Sequence, residues 1–70
     1  MNDVERIYRR NSEILGQRLR LFEDAVVHLN YYADTMSREA FVKLVTELYD
    51  GYLALPIAAV QEARARLEAP

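Results

Sequence analysis

The residues of this chain best suited to chemistry are its single histidine and the acids beside it. His28 follows Asp24 by one helical turn, and Glu23 adjoins Asp24. Carboxylates and an imidazole at such spacing bind metals when two copies face each other in a helical bundle. Di-iron bundles, however, use inward-facing glutamates and Glu-x-x-His elements, and this sequence contains no Glu-x-x-His. We therefore interpret Asp24 and His28 as an exposed helix-surface pair and predict no metal or other cofactor.

Nucleophilic catalysis lacks most of its parts in this sequence. There is no cysteine, and a Ser–His–Asp arrangement would have to use Ser12 or Ser37 with the lone His28. Gly16 and Gly51 are isolated, so no glycine-rich phosphate-binding loop is present. These observations disfavour an enzyme, and we predict that the chain has no catalytic site.

Length and composition instead predict one small helical domain, residues 1–70, that self-associates. Hydrophobic residues make up 51% of the chain, with two glycines, two prolines and no cysteine. A chain this short buries only about 60% of its unfolded surface and needs disulfides, a metal or a partner to be stable. Without cysteine, and with one histidine, association is the remaining route. We expect a homodimer.

The sequence also predicts a cytoplasmic protein with no membrane segment. The N-terminus, Met1 to Glu5, is acidic and lacks the apolar core of a signal peptide. The longest apolar run, 52–60, is interrupted by Pro56 and falls well short of the roughly 20 residues that cross a bilayer.

Hydrophobic periodicity predicts an antiparallel helical hairpin. Apolar residues of the first segment fall within an arc of roughly 160° from about residue 3 to residue 33. The turn follows at Asp34–Ser37, where Ser37 has the properties of an N-cap and Met36 can pack on Phe41 as a hydrophobic staple. A connection this short forces antiparallel neighbours.

The second segment continues the apolar stripe past Gly51 and Pro56. Pro56 cannot donate a hydrogen bond to the carbonyl of Tyr52, so we expect a kink or a break near 51–56. Two structures fit: one bent helix over 38–68, or two helices, 38–50 and about 55–68, separated at Asp50–Gly51. We favour the bent helix because the stripe keeps its phase.

The apolar arc of the second segment is wider than one neighbouring helix can cover. The fold class is therefore predicted as all-α, a hairpin that dimerises into a four-helix bundle. The residues expected to form the core and dimer seam are Leu15, Leu19, Phe22, Val26, Leu29, Phe41, Leu44, Val45, Leu48, Tyr52 and Leu55.

Asn11 and Arg18 interrupt the apolar arc of the first helix. A buried polar side chain at such a position fixes register and oligomeric state in helical bundles. The simpler interpretation places both at the edge of the seam, with the Arg18 guanidinium extended to water.

Two further groups are candidates for binding a partner. Val27 and Tyr31 fall on the solvent side of the first helix, where exposed apolar residues can form a protein-binding patch. Scattered apolar residues on an ordinary surface fit the two positions equally well. The outer side of the same helix carries four arginines that could contact phosphates or an acidic protein: Arg6, Arg9, Arg10 and Arg20. The acids Glu5, Glu13 and Asp24 lie among them, which is more typical of an ordinary solvated face.

One short stretch resembles a known family. Met36-Ser37-Arg38-Glu39 followed by Leu48-Tyr49 is similar to elements of the NblA family of phycobilisome-degradation adaptors. Those proteins are small helical hairpins that pair into four-helix bundles. The resemblance implies an adaptor that binds another protein. It covers residues 36–49 only, and 52–66, with Pro56, departs from the family pattern at the end where such adaptors engage their phycobiliprotein target.

We therefore predict a non-enzymatic interaction protein, an adaptor, regulator or inhibitor that self-associates and binds another protein through helix faces. A nucleic-acid-binding protein that uses the arginine face is the first alternative, although the net charge of −2 argues against it. A phage-encoded inhibitor of a host complex is the second alternative, compatible with the size and acidity of the chain.

Overall fold

The computed structural model describes residues 2–69, and almost all of them are helical. Helix α1 spans Asp3–Asn30, α2 spans Arg38–Tyr52 and α3 spans Ala54–Glu68. A 3-10 turn, Ala33–Thr35, lies between α1 and α2. No strand occurs between residues 2 and 69, so the predicted all-α class is confirmed.

Helix α1 begins with a cap that the sequence reasoning missed. The side-chain oxygen of Asn2 accepts a hydrogen bond of 2.8 Å from the backbone N–H of Glu5. Asn is among the best N-cap residues, since its short side chain satisfies a donor that the first helical turn leaves unpaired. Asp3 and Glu5 in the first turn add the negative charge that a helix N-terminus favours.

Helix α1 ends at Asn30, three residues before the predicted end. The backbone N–H groups of Tyr31 and Tyr32 donate to the carbonyls of His28 (3.2 Å) and Leu29 (2.9 Å). These bonds span three residues rather than four, the 3-10 pattern that often tightens the end of an α-helix. The connection therefore begins at Tyr31 and is longer than the predicted turn at Asp34–Ser37.

The predicted start of α2 is confirmed. The Ser37 hydroxyl oxygen accepts a hydrogen bond of 3.1 Å from the N–H of Ala40, as expected of an N-cap. Met36 and Phe41, on either side of the cap, are both half-buried, which agrees with the expected hydrophobic staple.

The predicted interruption near 51–56 is also confirmed, at a single residue. Leu53 separates α2 from α3 with φ −112° and ψ −31°. Its N–H donates to the Tyr49 carbonyl at 2.8 Å, and its carbonyl accepts from the N–H of Ile57 at 2.9 Å. Leu53 thus closes the last turn of α2 and opens the first turn of α3.

The favoured single bent helix is wrong, as is a division at Asp50–Gly51. Pro56 lies in the first turn of α3, where the backbone N–H groups have no intrahelical partner. Because a proline there sacrifices no hydrogen bond, the chain starts a new helix just before Pro56 and leaves α2 intact to Tyr52. The phase of the stripe survives because Leu53 stays in the right-handed helical region.

Helices α2 and α3 run back along α1, which packs against both of them and more extensively against α3. Phe22 of α1 meets Tyr49 of α2 edge to face, with ring centroids 6.5 Å apart. Farther along the hairpin, α1 faces the small residues Ala59 and Ala63 of α3. Small side chains let helix axes approach closely, which explains the tighter contact with α3.

The hairpin is one layer of helices, with extents of 51 × 18 × 13 Å. Between residues 2 and 69, only Leu53 and Ala63 are buried, at 4% and 3% exposure. A stable helical domain normally packs two layers around a core. This chain alone provides one.

The substitution Ser37→Ala is predicted to destabilise the protein by about 1 kcal/mol, because it removes the acceptor for the Ala40 N–H. Denaturant unfolding at a fixed protein concentration measures the change. Ser37→Asn keeps a capping oxygen and serves as the control, so equal losses in both variants would contradict the capping role.

Candidate interaction surface

The hairpin exposes much more surface than a folded protein of its mass. Its accessible area is 5743 Å² at 8.1 kDa. Folded monomers of that mass expose about 4,500 Å², so the excess is about 1,200 Å². The hairpin buries only about half of its unfolded surface, whereas a 60-residue domain buries about 60%.

One side of the hairpin carries two grooves between the helices, of which the one near the turn is mostly apolar. There, Ala25 and His28 of α1, and Tyr32 just after its end, face Leu44 and Leu48 of α2.

At the other end of the hairpin, a second groove lies between α1 and α3. Ile7 and Asn11 of α1 face Ala59 and Ala63 of α3 across it. The charged side chains of Glu62 and Arg66 also line this groove, which is therefore partly polar.

Heptad spacing connects the two grooves into one surface. Ile7, Ile14, Leu21 and His28 recur every seven residues, and residues at that spacing project from nearly the same side of a helix. Since Ile7 lines one groove and His28 the other, Ile14 and Leu21 lie between them on the same side.

The second and third helices show the same spacing. Leu48 lines the groove near the turn and Glu62 lines the groove at the other end, with Leu55 midway at seven residues from each. We call this side the open face; it is defined by its exposed large apolar residues Ile7, Ile14, Leu21, Tyr32, Leu44 and Leu55.

Leu55 is the most exposed aliphatic residue of the open face, at 81%. Scattered exposed leucines are normal on protein surfaces. Here, however, six large apolar side chains share one face of a single layer, which makes this face a candidate interaction surface.

The structure divides the predicted seam residues into two groups. Eight are half-buried within the hairpin: Leu15, Phe22, Val26, Leu29, Phe41, Val45, Leu48 and Tyr52. Three are exposed in the single chain: Leu19 at 39%, Leu44 at 38% and Leu55 at 81%. Leu55 contributes nothing to a core within one hairpin, so its place in a seam between two chains stays a prediction.

Sequence reasoning missed the exposed apolar side chains of Ile7, Ile14, Leu21 and Tyr32. All four fall within the apolar arc of the first segment, yet none was among the predicted seam residues. The signal that could have found them is the seven-residue spacing of the first three. It marks a second apolar stripe beside the one that packs against α2 and α3.

Val27 and Tyr31 lie at the end of α1 beside the turn, with 58% and 80% of their surface exposed. They are four residues apart and therefore neighbours on the helix surface. Their exposure agrees with the expectation from sequence, and their role in binding a partner stays a prediction.

His28 packs against an aromatic ring. Its imidazole meets Tyr32 edge to face, with ring centroids 5.7 Å apart, at the margin of the groove near the turn. Within residues 2–69, no group of three or more His, Asp or Glu side chains is arranged to hold a metal ion. Glu23, Asp24 and His28 are all exposed side chains on the surface of α1.

The four candidate arginines are all exposed on α1. Arg6 forms an ion pair with Asp3, one turn earlier on the same helix. Glu13 lines a shallow depression together with Arg20, so acidic and basic side chains alternate on this face. Such mixing dilutes the positive potential that binding to phosphates requires.

No helix between residues 2 and 69 has both the length and the apolar character that a bilayer-spanning segment needs. Comparison of this chain with known protein families, characterised proteins and solved structures finds no match.

The double substitution Val27→Ser with Tyr31→Ser is predicted to leave the free energy of unfolding within about 0.5 kcal/mol of the wild type, because both side chains are exposed. Phe22→Ala, by contrast, removes a half-buried ring and its contact with Tyr49, and should cost about 3 kcal/mol. Denaturant unfolding of the two variants at equal concentration compares them. A large loss in the double variant would assign Val27 and Tyr31 to the fold instead of to a binding surface.

Proposed function

We propose that this protein is a non-enzymatic interaction protein that self-associates and binds another protein through exposed helix faces. Within that class it acts as an adaptor, regulator or inhibitor in the cytoplasm. The observation that carries the proposal is the excess of exposed surface, with many large apolar side chains on it, of a hairpin in which only Leu53 and Ala63 are buried among residues 2–69.

The excess surface supports self-association first. An excess of about 1,200 Å² is larger than the roughly 800 Å² that each partner contributes to a standard protein interface. Covering such a face would also give the hairpin the second layer that a helical domain needs. Self-association and folding are therefore expected to be coupled in this protein.

The patch of Val27 and Tyr31 supports binding of a second protein. It lies beside the turn and apart from the grooves of the open face, so an interface on that face would leave it accessible. Tyrosine is enriched at the energetic centres of protein interfaces, since it combines a large apolar ring with a hydroxyl group. The local resemblance of residues 36–49 to the NblA adaptors agrees with this class of function and stays a prediction.

Sedimentation equilibrium at micromolar concentrations tests the self-association. We expect a dimer whose thermal midpoint rises with protein concentration, because only folded chains associate and a higher concentration therefore favours the folded state. A monomer with a cooperative, concentration-independent melt would contradict the proposal.

Affinity capture from the source lysate tests the binding of another protein. We expect at least one protein to be retained by the wild type and lost with the Val27→Ser, Tyr31→Ser variant. Val42→Ser, an exposed substitution on α2, is the matched control and should retain it. A captured protein is then purified and titrated against both variants. Equal affinities would rule out the Val27–Tyr31 patch as its binding site.

A further inference from the structure

We infer that the open face is covered by a second copy of this chain in antiparallel orientation, related by a two-fold axis that passes close to Leu55. This inference rests on the self-association proposed above. It adds which face is used, which way the two hairpins run and which residues meet at the centre.

The area of the excess surface fits a second copy. If each chain covers about 1,200 Å², the pair buries about 2,400 Å² in total, within the range of obligate homodimers. The open face extends along a hairpin 51 Å long, and its apolar residues reach from Ile7 near one end to Tyr32 near the other. An identical elongated face covers it along its whole length, whereas a short peptide would cover one groove.

Charge determines the orientation. The half of the hairpin next to the turn, residues 21–50, carries six acids against Arg38 and Lys43, a balance of −4. The other half carries +2 in residues 1–20 and zero in residues 51–70. Parallel pairing would place the two acidic halves side by side, at a cost in repulsion. Antiparallel pairing places each acidic half beside a basic one.

The level of Leu55 along the hairpin places it at the centre. Phe22 is level with Tyr49, and Ile7 is level with Ala63, because these pairs meet across the hairpin. Leu55 lies between Tyr49 and Ala63 and is therefore about halfway along. In an antiparallel pair the two copies of Leu55 lie next to each other across the axis, which explains why the most exposed aliphatic side chain of the face is the central one.

The same geometry separates or joins residues near the ends. The two copies of Ile7 lie on opposite sides of the axis, about 25 Å apart along the bundle. Because the axis places α1 of one copy on α1 of the other, Ile7 of one copy instead lies close to the level of Leu21 in the other. A parallel pair would place each residue level with its own copy.

Single-cysteine cross-linking tests this arrangement, since the natural chain has no cysteine. The variants Ile7→Cys, Leu21→Cys and Leu55→Cys change exposed residues, so each is expected to keep the hairpin. Circular dichroism and sedimentation verify folding and association before a short bismaleimide linker is added. Val42→Cys, exposed on α2 but off the open face, is the control.

The expected result is a covalent dimer from Leu55→Cys alone, and none from Ile7→Cys, Leu21→Cys or Val42→Cys alone. Co-refolded Ile7→Cys and Leu21→Cys should give a covalent heterodimer. Self-cross-linking of Ile7→Cys would overturn the antiparallel orientation. Cross-linking of Val42→Cys alone in a sedimenting dimer would overturn the choice of face while leaving the proposed self-association intact. A folded monomer in every variant and in the wild type would overturn both.

Discussion

The structure depends on one constraint: a single layer of helices cannot bury an apolar arc as wide as this chain carries. α1 covers one side of α2 and α3, and the half-buried residues from Leu15 to Tyr52 lie along that contact. Between residues 2 and 69, the layer nevertheless buries fully only Leu53 and Ala63. Hydrophobic burial is the main favourable contribution to folding and must offset the loss of chain entropy, so the uncovered side leaves the single hairpin with little burial to offset that loss.

Helix α1 packs against α3 through small side chains and against α2 through large ones. At the end formed by α3, Ala59 and Ala63 let α1 approach closely. At the end formed by α2, the contact relies on larger side chains such as Phe22 and Tyr49, which hold the helices farther apart and leave the groove lined by Leu44 and Leu48. Leu53 joins α2, which contacts α1 through large side chains, to α3, which contacts α1 through small ones.

Much of this fold is readable from sequence because local signals and periodicity agree. Ser37 caps α2 as its neighbours predict, and Pro56 forces an interruption in the expected region. The end of α1 was missed because hydrogen bonds of Tyr31 and Tyr32 tighten the last turn while their side chains keep the helical pattern. The sequence also could not predict which residues of the wide apolar stripe are covered by α1 and which stay exposed. Periodicity places Leu48 and Leu55 on one stripe, yet only the position of α1 decides that Leu48 is half-covered and Leu55 is 81% exposed. Apolar residues that pack within one hairpin and those that would pack between two hairpins recur with the same helical spacing, so spacing alone cannot separate them.

The position of Val27 and Tyr31 beside the turn has a consequence for how a partner is held. In the antiparallel pair inferred above, the two patches are at opposite ends of a rod whose length is that of the 51 Å hairpin. If each patch binds a partner as proposed, such a pair is bivalent. Once one patch is occupied, a target with two suitably spaced sites meets the second patch at a high effective concentration, and two weak contacts combine into a strong one. The distance between the two sites on a target would then affect its affinity as strongly as the chemistry of either patch does.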